Sequence, residues 1–287
     1  MNGENTVQSK VLRVWADERK MGQAEGNALR QLLQEHRMEI YVNEQLVARL
    51  VCTAADLENL VVGRLVTEGI ITDAAQIEQL HLCESGNRAR VFLKEHVKLV
   101  PKCEEEPTCC TDNHVYLMRK ADESDGQAAC GQISGQEKYS GQDHKAQDGI
   151  VQAQDLQWNN LHWKKEWIFG IANAFAQDSA LHKSTGGTHS CMLAVEDRIL
   201  YKAEDIGRHN ALDKAIGYAV REQLNRSECI LFTTGRVPTD MVRKAAAAGI
   251  PLLVSKAVPT ADAVDMARGN GITLICRAWP DSFEIYA

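Results

Sequence analysis

Alternating apolar and polar positions over residues 38–52 predict a β-hairpin. Met38, Ile40 and Val42 fall on one face of the first strand, and Asn43-Glu44 supplies the turn. The second strand continues the alternation to the end of this range.

A helix is predicted over residues 54–68, directly after the hairpin. Thr53, with a carboxylate three positions later, is typical of a helix N-cap. Alternation then predicts strands over 77–82 and 88–94. These elements form a small α+β unit, for which we predict the bounds 37–100.

The pattern changes between residues 101 and 157. Residues 121–149 contain one aromatic side chain, little aliphatic bulk, and many Gly, Gln, Asp and Ser residues. Such a composition buries too little apolar surface to offset the entropy of ordering, so we predict a mobile linker over 101–157. Cys130, flanked by two small residues, lies in its middle.

An apolar-periodic helix is predicted over residues 156–176. Trp163, Trp167, Ile171 and Phe175 recur there at four-residue spacing. Because apolar residues at helical spacing usually pack, we interpret the tryptophans as core side chains and not as a stacking platform.

Strands and helices alternate through the rest of the chain. The predicted strands cover 191–195, 199–203, 229–234, 250–254, 272–276 and 283–286, and the predicted helices cover 209–224, 240–248 and 261–268. This order favours a mostly parallel sheet with helices on both faces, an α/β architecture. Ligands of such sheets bind beyond the carboxyl ends of the strands.

The charge, the cysteine spacing and the apolar runs of the chain argue against several classes of protein. The net charge of −7 argues against nonspecific nucleic-acid binding, which needs a basic surface. The nine cysteines have no regular spacing and fit a reducing compartment better than a disulfide framework. The amino-terminal residues have no apolar core typical of a signal peptide, and no apolar run is long enough to span a membrane, so we expect a cytoplasmic protein.

Residues 204–214, EDIGRHNALDK, place two carboxylates, a glycine, an arginine and a histidine directly before a helix. One interpretation is a well-capped surface helix with Asp205 as its N-cap. The other is an anion site, because free backbone N–H groups and the helix dipole attract negative charge, to which Arg208 and His209 add. The run alone does not decide between them.

Several cysteines are candidates for chemistry. Cys130 is either an incidental surface thiol or a carrier that a mobile loop moves between a donor and an acceptor. Cys103, Cys109, Cys110 and His114 match no standard zinc or iron–sulfur spacing, so redox-neutral loop cysteines are favoured over a metal site. We interpret Cys191, Cys229 and Cys276, which lie inside apolar strands, as core residues.

Two glycine-containing loops can hold an anion. Thr185-Gly186-Gly187-Thr188-His189 is either a tight turn or a set of backbone donors beside a histidine. Thr234-Gly235-Arg236 follows a buried strand and precedes a helix, as phosphate-binding loops do.

Several long blocks, taken together, resemble the formate dehydrogenase accessory sulfurtransferase family (FdhD). The blocks are LVVGRLVTEGII at 60–71, STGGTHS at 184–190, AEDIGRHNALDKAIG at 203–217, TTGRVPTDMVRKAAAAGIP at 233–251, SKAVPTADAVDMARGNGITLI at 255–275 and the closing FEIY. The resemblance covers the chain from about residue 37 onward, except the linker.

The resemblance implies a function. Members of this family take persulfide sulfur from a cysteine desulfurase and pass it to the molybdenum or tungsten bis-guanine-dinucleotide cofactor of formate dehydrogenase. It also implies a homodimer and a carboxyl-terminal domain, here 158–287, that is similar to the cytidine deaminase fold, a three-layer α/β/α sandwich. Deamination itself is not expected, because the zinc-ligand motifs of deaminases are missing.

The resemblance also assigns site residues. Cys130 matches the first cysteine of the family's Cys-Gly-x-Cys-Gly loop and is the expected persulfide carrier; the second cysteine is absent here. Residues 277–282 match the family's cofactor-contact segment, where relatives carry a more basic, glycine-bearing sequence. The expected cofactor-binding residues are Thr185, Gly186, Gly187, Thr188, His189, Asp205, Arg208, His209, Thr234, Gly235, Arg236, Lys256, Arg277, Ala278, Trp279, Pro280, Asp281 and Ser282. No resident metal site is expected.

Two rival functions remain open from the sequence. One is a chaperone that binds the molybdenum cofactor without moving sulfur. The other is a metal-binding scaffold built on the cysteines at 103, 109 and 110 and on His114.

Overall fold

The computed structural model describes residues 6–11, 28–101, 114–116, 118–120, 163–177 and 180–287. The predicted carrier Cys130 and most of the predicted linker lie outside these residues, as do Cys103, Cys109 and Cys110. His114 is described as part of a strand only.

Among the described residues, the first part of the chain contains two sheets and one α-helix next to a short amino-terminal strand pair. Its elements are β1 (Thr6–Val11), β2 (Ala28–Leu33), β3 (His36–Val42), β4 (Gln45–Cys52), α1 (Leu57–Thr67), β5 (Ile77–Leu82), β6 (Arg88–Leu93), β7 (Leu99–Pro101), β8 (His114–Tyr116) and β9 (Met118–Lys120). Strands β5-β6-β3-β4-β8 form a five-stranded sheet, and β1-β2 and β7-β9 form antiparallel pairs. The predicted hairpin, helix and two strands are confirmed.

The second part contains a six-stranded sheet and five helices among the residues that the structure describes. Its elements are α2 (Lys165–Gln177), α3 (Ala180–Thr185), β10 (His189–Val195), β11 (Arg198–Asp205), α4 (Arg208–Arg221), β12 (Cys229–Thr233), α5 (Thr239–Ala247), β13 (Leu252–Ser255), α6 (Ala261–Gly269), β14 (Thr273–Cys276) and β15 (Glu284–Ile285). The strand order is β11-β10-β12-β13-β14-β15.

The six-stranded sheet is mixed, so the prediction of a mostly parallel sheet was wrong. Strands β12, β13 and β14 run parallel, whereas β10 pairs antiparallel with β11 and with β12, and β15 pairs antiparallel with β14. For β10 and β11 the reason is connection length, because a two-residue turn at 196–197 joins them and such a turn permits only antiparallel pairing.

Helices cover both faces of this sheet. Leu193, Leu231 and Leu253 point to the face that packs against α4, α5 and α6. Their strand neighbours Met192 and Phe232, with others, point to the face covered by α2. The layering explains why every residue of β12 is buried. Ile171 and Phe175 are buried in this second cluster and Trp163 and Trp167 pack against it, so the interpretation of these residues as core is confirmed.

Helix α1 joins the two parts by crossing α4 at two glycines. A Cβ atom on Gly63 would lie 1.8 Å from the Asp213 carbonyl oxygen, and one on Gly217 would lie 1.8 Å from the Asn59 carbonyl oxygen. Only glycine permits such a close backbone approach. The buried residues of α1 and α4 belong to one continuous apolar cluster that also includes the inner face of the five-stranded sheet.

Three features were not predicted: the β1-β2 pair, helix α3 and the short strands β7 to β9. Strand β1 is rich in polar residues, and neither β1 nor β2 has a strict alternation of apolar and polar residues, which explains the omission of the pair. Among the helices of the described residues, none combines the length and apolar character needed to cross a bilayer.

Candidate functional site at one edge of the six-stranded sheet

Five chain segments meet at one edge of the six-stranded sheet. The parallel strands β12, β13 and β14 all end there. Strand β10 runs the opposite way, so it begins there, and β11 ends beside it, because His189 and Asp205 are register partners. The segments at this edge are 185–189, 205–209, 234–236, 256 and 277–282, and they contain every residue expected to bind the cofactor.

Backbone and hydroxyl hydrogen bonds tie neighbouring segments together. The Ser190 N–H donates to Thr234 Oγ1 at 3.1 Å, and the Ser255 hydroxyl donates to the Gly235 carbonyl at 2.6 Å. The Ala278 N–H in turn donates to the Ser255 carbonyl at 3.0 Å. The segments therefore form one connected rim and not independent loops.

Asp205 organises the turn that precedes α4, but it is not the N-cap. The N-cap is Gly207, and its N–H donates to Asp205 Oδ1 at 3.0 Å. The other carboxylate oxygen, Oδ2, lies 2.6 Å from Lys214 Nζ, with both side chains fully buried. The surface-cap interpretation of Asp205 is wrong because this carboxylate is the counter-ion of a buried lysine.

Thr53 closes this buried cluster from the first part of the chain. Its N–H donates to Asp205 Oδ2 at 3.0 Å, and its hydroxyl accepts from Lys214 Nζ at 2.8 Å. The prediction that Thr53 caps α1 is wrong: the N-cap is Asp56, in a left-handed conformation. A side chain bound to a residue far along the chain is not available to cap its own helix.

Asn210 bridges the same turn to both parts of the chain. Its amide nitrogen donates to the Val51 carbonyl at 2.8 Å and to Asp205 Oδ1 at 2.9 Å, and its oxygen accepts from Arg64 at 3.4 Å. The 205–210 turn is thus held from β4 and α1 as well as from its own helix.

A second buried ionic cluster surrounds Asp213, one residue before Lys214. Its carboxylate lies 3.1 Å from Arg64 Nε and 3.0 Å from Lys244 Nζ, and it accepts from the Thr67 hydroxyl at 3.0 Å. Burial, followed by the Arg64 charge, lowers the pKa of Lys244. No motif predicted this cluster; the only signal was the charged pair Asp213-Lys214 inside an apolar-periodic helix.

Arg208 lies at the rim, pressed against the Gly235 loop. A Cβ atom on Gly235 would lie 2.9 Å from both Cβ and Cδ of Arg208, so the glycine makes room for this side chain. Arg208 is 8% exposed, and its Nε has no hydrogen-bond partner among the described residues. Because buried polar groups are normally paired, this nitrogen marks a place for an acceptor.

His209 is turned inward and lies against Asp240. Its Nε2 lies 2.9 Å from Asp240 Oδ2, at the start of α5. Burial raises the pKa of the Asp240 carboxyl, and the nearby Arg208 charge opposes that shift. His209 is 2% exposed, so its side chain packs beneath the rim and not on its surface. This differs from the expectation that His209 faces the cofactor.

Lys256 lies between two aromatic rings at this edge. Its Nζ is 4.6 Å from the centre of the Phe175 ring and 5.6 Å from the centre of the Trp279 ring. Burial lowers the pKa of this ammonium. Trp279 itself is 49% exposed.

The Gly186-Gly187 loop lies beside the amino-terminal strand pair. Gly186 adopts a left-handed φ of +68°, which glycine tolerates, and a Cβ on Gly187 would lie 2.9 Å from Leu33 of β2. Thr188 is buried, and His189 begins β10.

A cavity of about 810 Å³ lies at the opposite edge of the sheet, near the amino ends of β12 and β13. Trp163, Trp167 and Leu252 are among its lining residues. None of the residues expected to bind the cofactor lines it.

Comparison with known proteins decides the family. A model described as the FdhD/NarQ family matches residues 33–287. The chain belongs to this family. The matched range includes the five-stranded and six-stranded sheets and every segment of the rim, and it starts at the last residue of β2. The resemblance inferred from the motifs is therefore confirmed.

Relatives within the family carry a functional name. A protein of Listeria innocua named Sulfur carrier protein FdhD is 28% identical over 256 residues, 88% of each chain. A protein of Halalkalibacterium halodurans with the same name is 31% identical over 244 residues, 85% of this chain and 81% of the relative.

A solved structure shares the fold. The crystal structure from Desulfotalea psychrophila, described as a formate dehydrogenase accessory protein, superposes with a TM-score of 0.64 over 98% of this chain and 96% of its own. At 19% identity this likeness shows the mixed α/β fold alone.

Proposed function

We propose that this protein is a sulfurtransferase, which carries persulfide sulfur from a cysteine desulfurase to the molybdenum or tungsten bis-guanine-dinucleotide cofactor of formate dehydrogenase. Family membership and the sulfur-carrier name of its relatives support the sulfur-carrying role. The observation that carries the cofactor part is the convergence of five predicted binding segments on one rim of the sheet.

The chemistry of the rim fits a phosphate-bearing cargo. Among the described residues, the buried Nε of Arg208 has no hydrogen-bond partner there, and Lys256 has a partly buried ammonium. Arginine binds phosphate through directed hydrogen bonds and lysine through a compact charge, so the two together suit a ligand with a pyrophosphate group.

The sulfur step is a persulfide exchange at Cys130. The thiolate of Cys130 attacks the terminal sulfur of the donor persulfide, forming one S–S bond as the donor's S–S bond breaks. The donor leaves as a thiolate and Cys130 becomes a persulfide, so no external oxidant or reductant is needed. Because Cys130 lies outside the described residues, this step rests on the motif match and not on geometry.

Mass spectrometry tests the sulfur step. The full chain is incubated with a cysteine desulfurase and cysteine, and the Cys130 peptide is expected to gain the mass of one sulfur atom. Cys130→Ser is expected to lose this adduct, whereas Cys83→Ser, which removes an exposed thiol elsewhere, is expected to keep it. An unmodified Cys130 peptide in the wild type rejects the sulfurtransferase.

A cellular assay separates the sulfurtransferase from the cofactor-binding chaperone. In cells that depend on this protein for formate dehydrogenase, Cys130→Ala is expected to abolish the activity of that enzyme. Retained activity contradicts sulfur transfer and supports the chaperone.

Further features belong to the same proposal. The protein acts as a homodimer in the cytoplasm, and its six-stranded sheet with helices on both faces corresponds to the cytidine-deaminase-like sandwich. Sedimentation analysis tests the dimer, and superposition on deaminase structures tests the fold likeness.

A further inference from the structure

The cavity at the opposite edge of the six-stranded sheet has the size of a small-molecule site. Its volume of about 810 Å³ lies within the roughly 300–1,000 Å³ that such sites occupy. Its walls come from the residues at the start of α2, from the turn between β10 and β11, and from the amino ends of β12, β13 and β14. The sulfur and cofactor steps proposed above use none of these residues.

Two indole side chains form an apolar wall of this cavity. Trp163 and Trp167 line it together with Ile230 and Leu252. The ammonium of Lys164 lies 5.4 Å from the centre of the Trp167 ring, so this wall already receives one cation of the protein itself. An indole face attracts positive charge through its ring quadrupole. The wall therefore suits a ligand with an organic cation.

The charged side chains that line the cavity, among the described residues, are carboxylates. They are Glu196, in the turn between β10 and β11, and Glu228, directly before β12. Glu228 accepts from the Asn225 amide at 2.7 Å, whereas Glu196 has neither a hydrogen bond nor an ion pair within the described part of the chain. The cavity therefore favours a cation over an anion, in contrast to the rim with Arg208 and Lys256.

The indole nitrogen of Trp163 adds a polar requirement. It is buried and has no hydrogen-bond acceptor among the residues that the structure describes. Because buried donors are normally paired, an oxygen on a ligand in this cavity is a suitable acceptor.

We propose that this cavity binds a small organic cation. Its substituted ammonium group lies against the indole wall and near Glu196 and Glu228, and its oxygen accepts from Trp163. The apolar wall favours a substituted ammonium over a hydrated inorganic cation, because alkyl groups gain from leaving water at the rings. The site is independent of the proposed function, since it shares no residue with the rim and does not involve Cys130.

A series of probes with the same branched shape and different charge tests the preference. Choline is positive, its carbon analogue neohexyl alcohol is neutral, and the anion of tert-butylacetic acid is negative. Isothermal titration of the full chain is expected to give choline an affinity about tenfold higher than that of the alcohol, and to detect no binding of the anion. Equal affinities for choline and the alcohol, or no binding of choline, overturn the proposal.

Removing the carboxylate charges tests their contribution. The double variant Glu196→Gln with Glu228→Gln is expected to reduce the preference for choline over the alcohol to about threefold, while the affinity for the alcohol stays the same. Glu166→Gln, which alters an exposed carboxylate of α2 outside the cavity lining, is the matched control and is expected to change neither affinity. An unchanged preference in the double variant shows that the carboxylates do not attract the ligand, which contradicts the proposal.

The indole wall is tested by removing its π face. Trp167→Leu retains apolar bulk, so it is expected to weaken choline binding by about fivefold and to leave the alcohol unchanged. Trp167→Phe retains a ring and is expected to keep most of the choline affinity; it serves as the second variant if the thermal midpoint shows that Trp167→Leu is unfolded. If Trp167→Leu weakens both probes equally, the wall is merely apolar and the proposal is wrong.

Discussion

Lys214 Nζ lies 2.6 Å from Asp205 Oδ2, and neither side chain is exposed to solvent. Their neighbour Thr53 directly follows β4 of the five-stranded sheet, so the pair lies where the two parts of the protein meet. An ion pair without water is stable only when its remaining hydrogen-bonding groups are satisfied. Thr53, Gly207 and Asn210 satisfy the carboxylate here.

Lys214→Met is therefore expected to destabilise the fold severely. The substitution leaves Asp205 as a buried charge without its cation, which costs about 3–5 kcal/mol of unfolding free energy. Urea denaturation measures this loss. Lys98→Met, on an exposed lysine, is the matched control; if both variants unfold at the same urea concentration, the pair does not stabilise the fold.

The glycine crossing of α1 and α4 predicts a sharp contrast between two substitutions. Gly217→Ala places a Cβ 1.8 Å from the Asn59 carbonyl oxygen, so the helices must separate, at a cost of about 3 kcal/mol or more. Gly269→Ala, at the end of α6 with nothing within 4 Å, is expected to be neutral or to stabilise by about 0.5 kcal/mol. Calorimetric melting of both variants provides the measurement, and equal melting temperatures would show that the helices are not in contact.

Alkylation is expected to distinguish the described cysteines by their thiol pKa. The Ser85 hydroxyl and the Arg88 N–H lower the pKa of exposed Cys83, so it carries more thiolate at neutral pH. Burial raises the pKa of Cys52 and Cys276 to about 12 and that of Cys229 to about 11. Brief iodoacetamide treatment followed by peptide mapping should modify Cys83 first among these four. Modification of Cys52 at the same rate would contradict the burial of β4.

The affinity for pyrophosphate is expected to fall with rising pH because of Lys256. Only the ammonium form attracts an anion, and burial lowers its pKa below the usual 10.5. The charge is therefore lost at a lower pH than the charge of an ordinary lysine. Lys256→Arg, whose charge persists, is expected to retain affinity at alkaline pH. Identical profiles for wild type and variant would place the anion away from Lys256.

Most of the strands and helices were predictable because their signals are local. Residues 38–52, 77–82 and 229–234 carry enough periodicity in their own sequence to define a strand and its buried face. The position of the candidate rim was also largely predictable, since the carboxyl ends of β12 to β14 follow from the alternation of strands and helices. The predictions that failed were the mostly parallel direction of the six-stranded sheet and the roles of single polar side chains.

Thr53 and Asp205 show why the roles of single polar side chains could not be predicted from the sequence. Both have the residue type and position of a helix N-cap, yet each instead bonds a partner that lies 152 residues away along the chain. The surroundings of Lys256 could not be predicted either, because nothing in its neighbouring sequence places it between Phe175 and Trp279. Sequence spacing carries no information about contacts that only the packed chain creates.

The sequence by itself determined the family, most of the succession of elements and the edge at which the candidate binding segments collect. These follow from motifs, periodicity and the order of strands, which are properties of short stretches of chain. Only the tertiary structure decided the mixed direction of the six-stranded sheet, the buried Asp205–Lys214–Thr53 cluster and the aromatic setting of Lys256. Each of these depends on contacts between residues that lie far apart in the sequence. Those contacts form only when the chain packs and water is excluded from its interior.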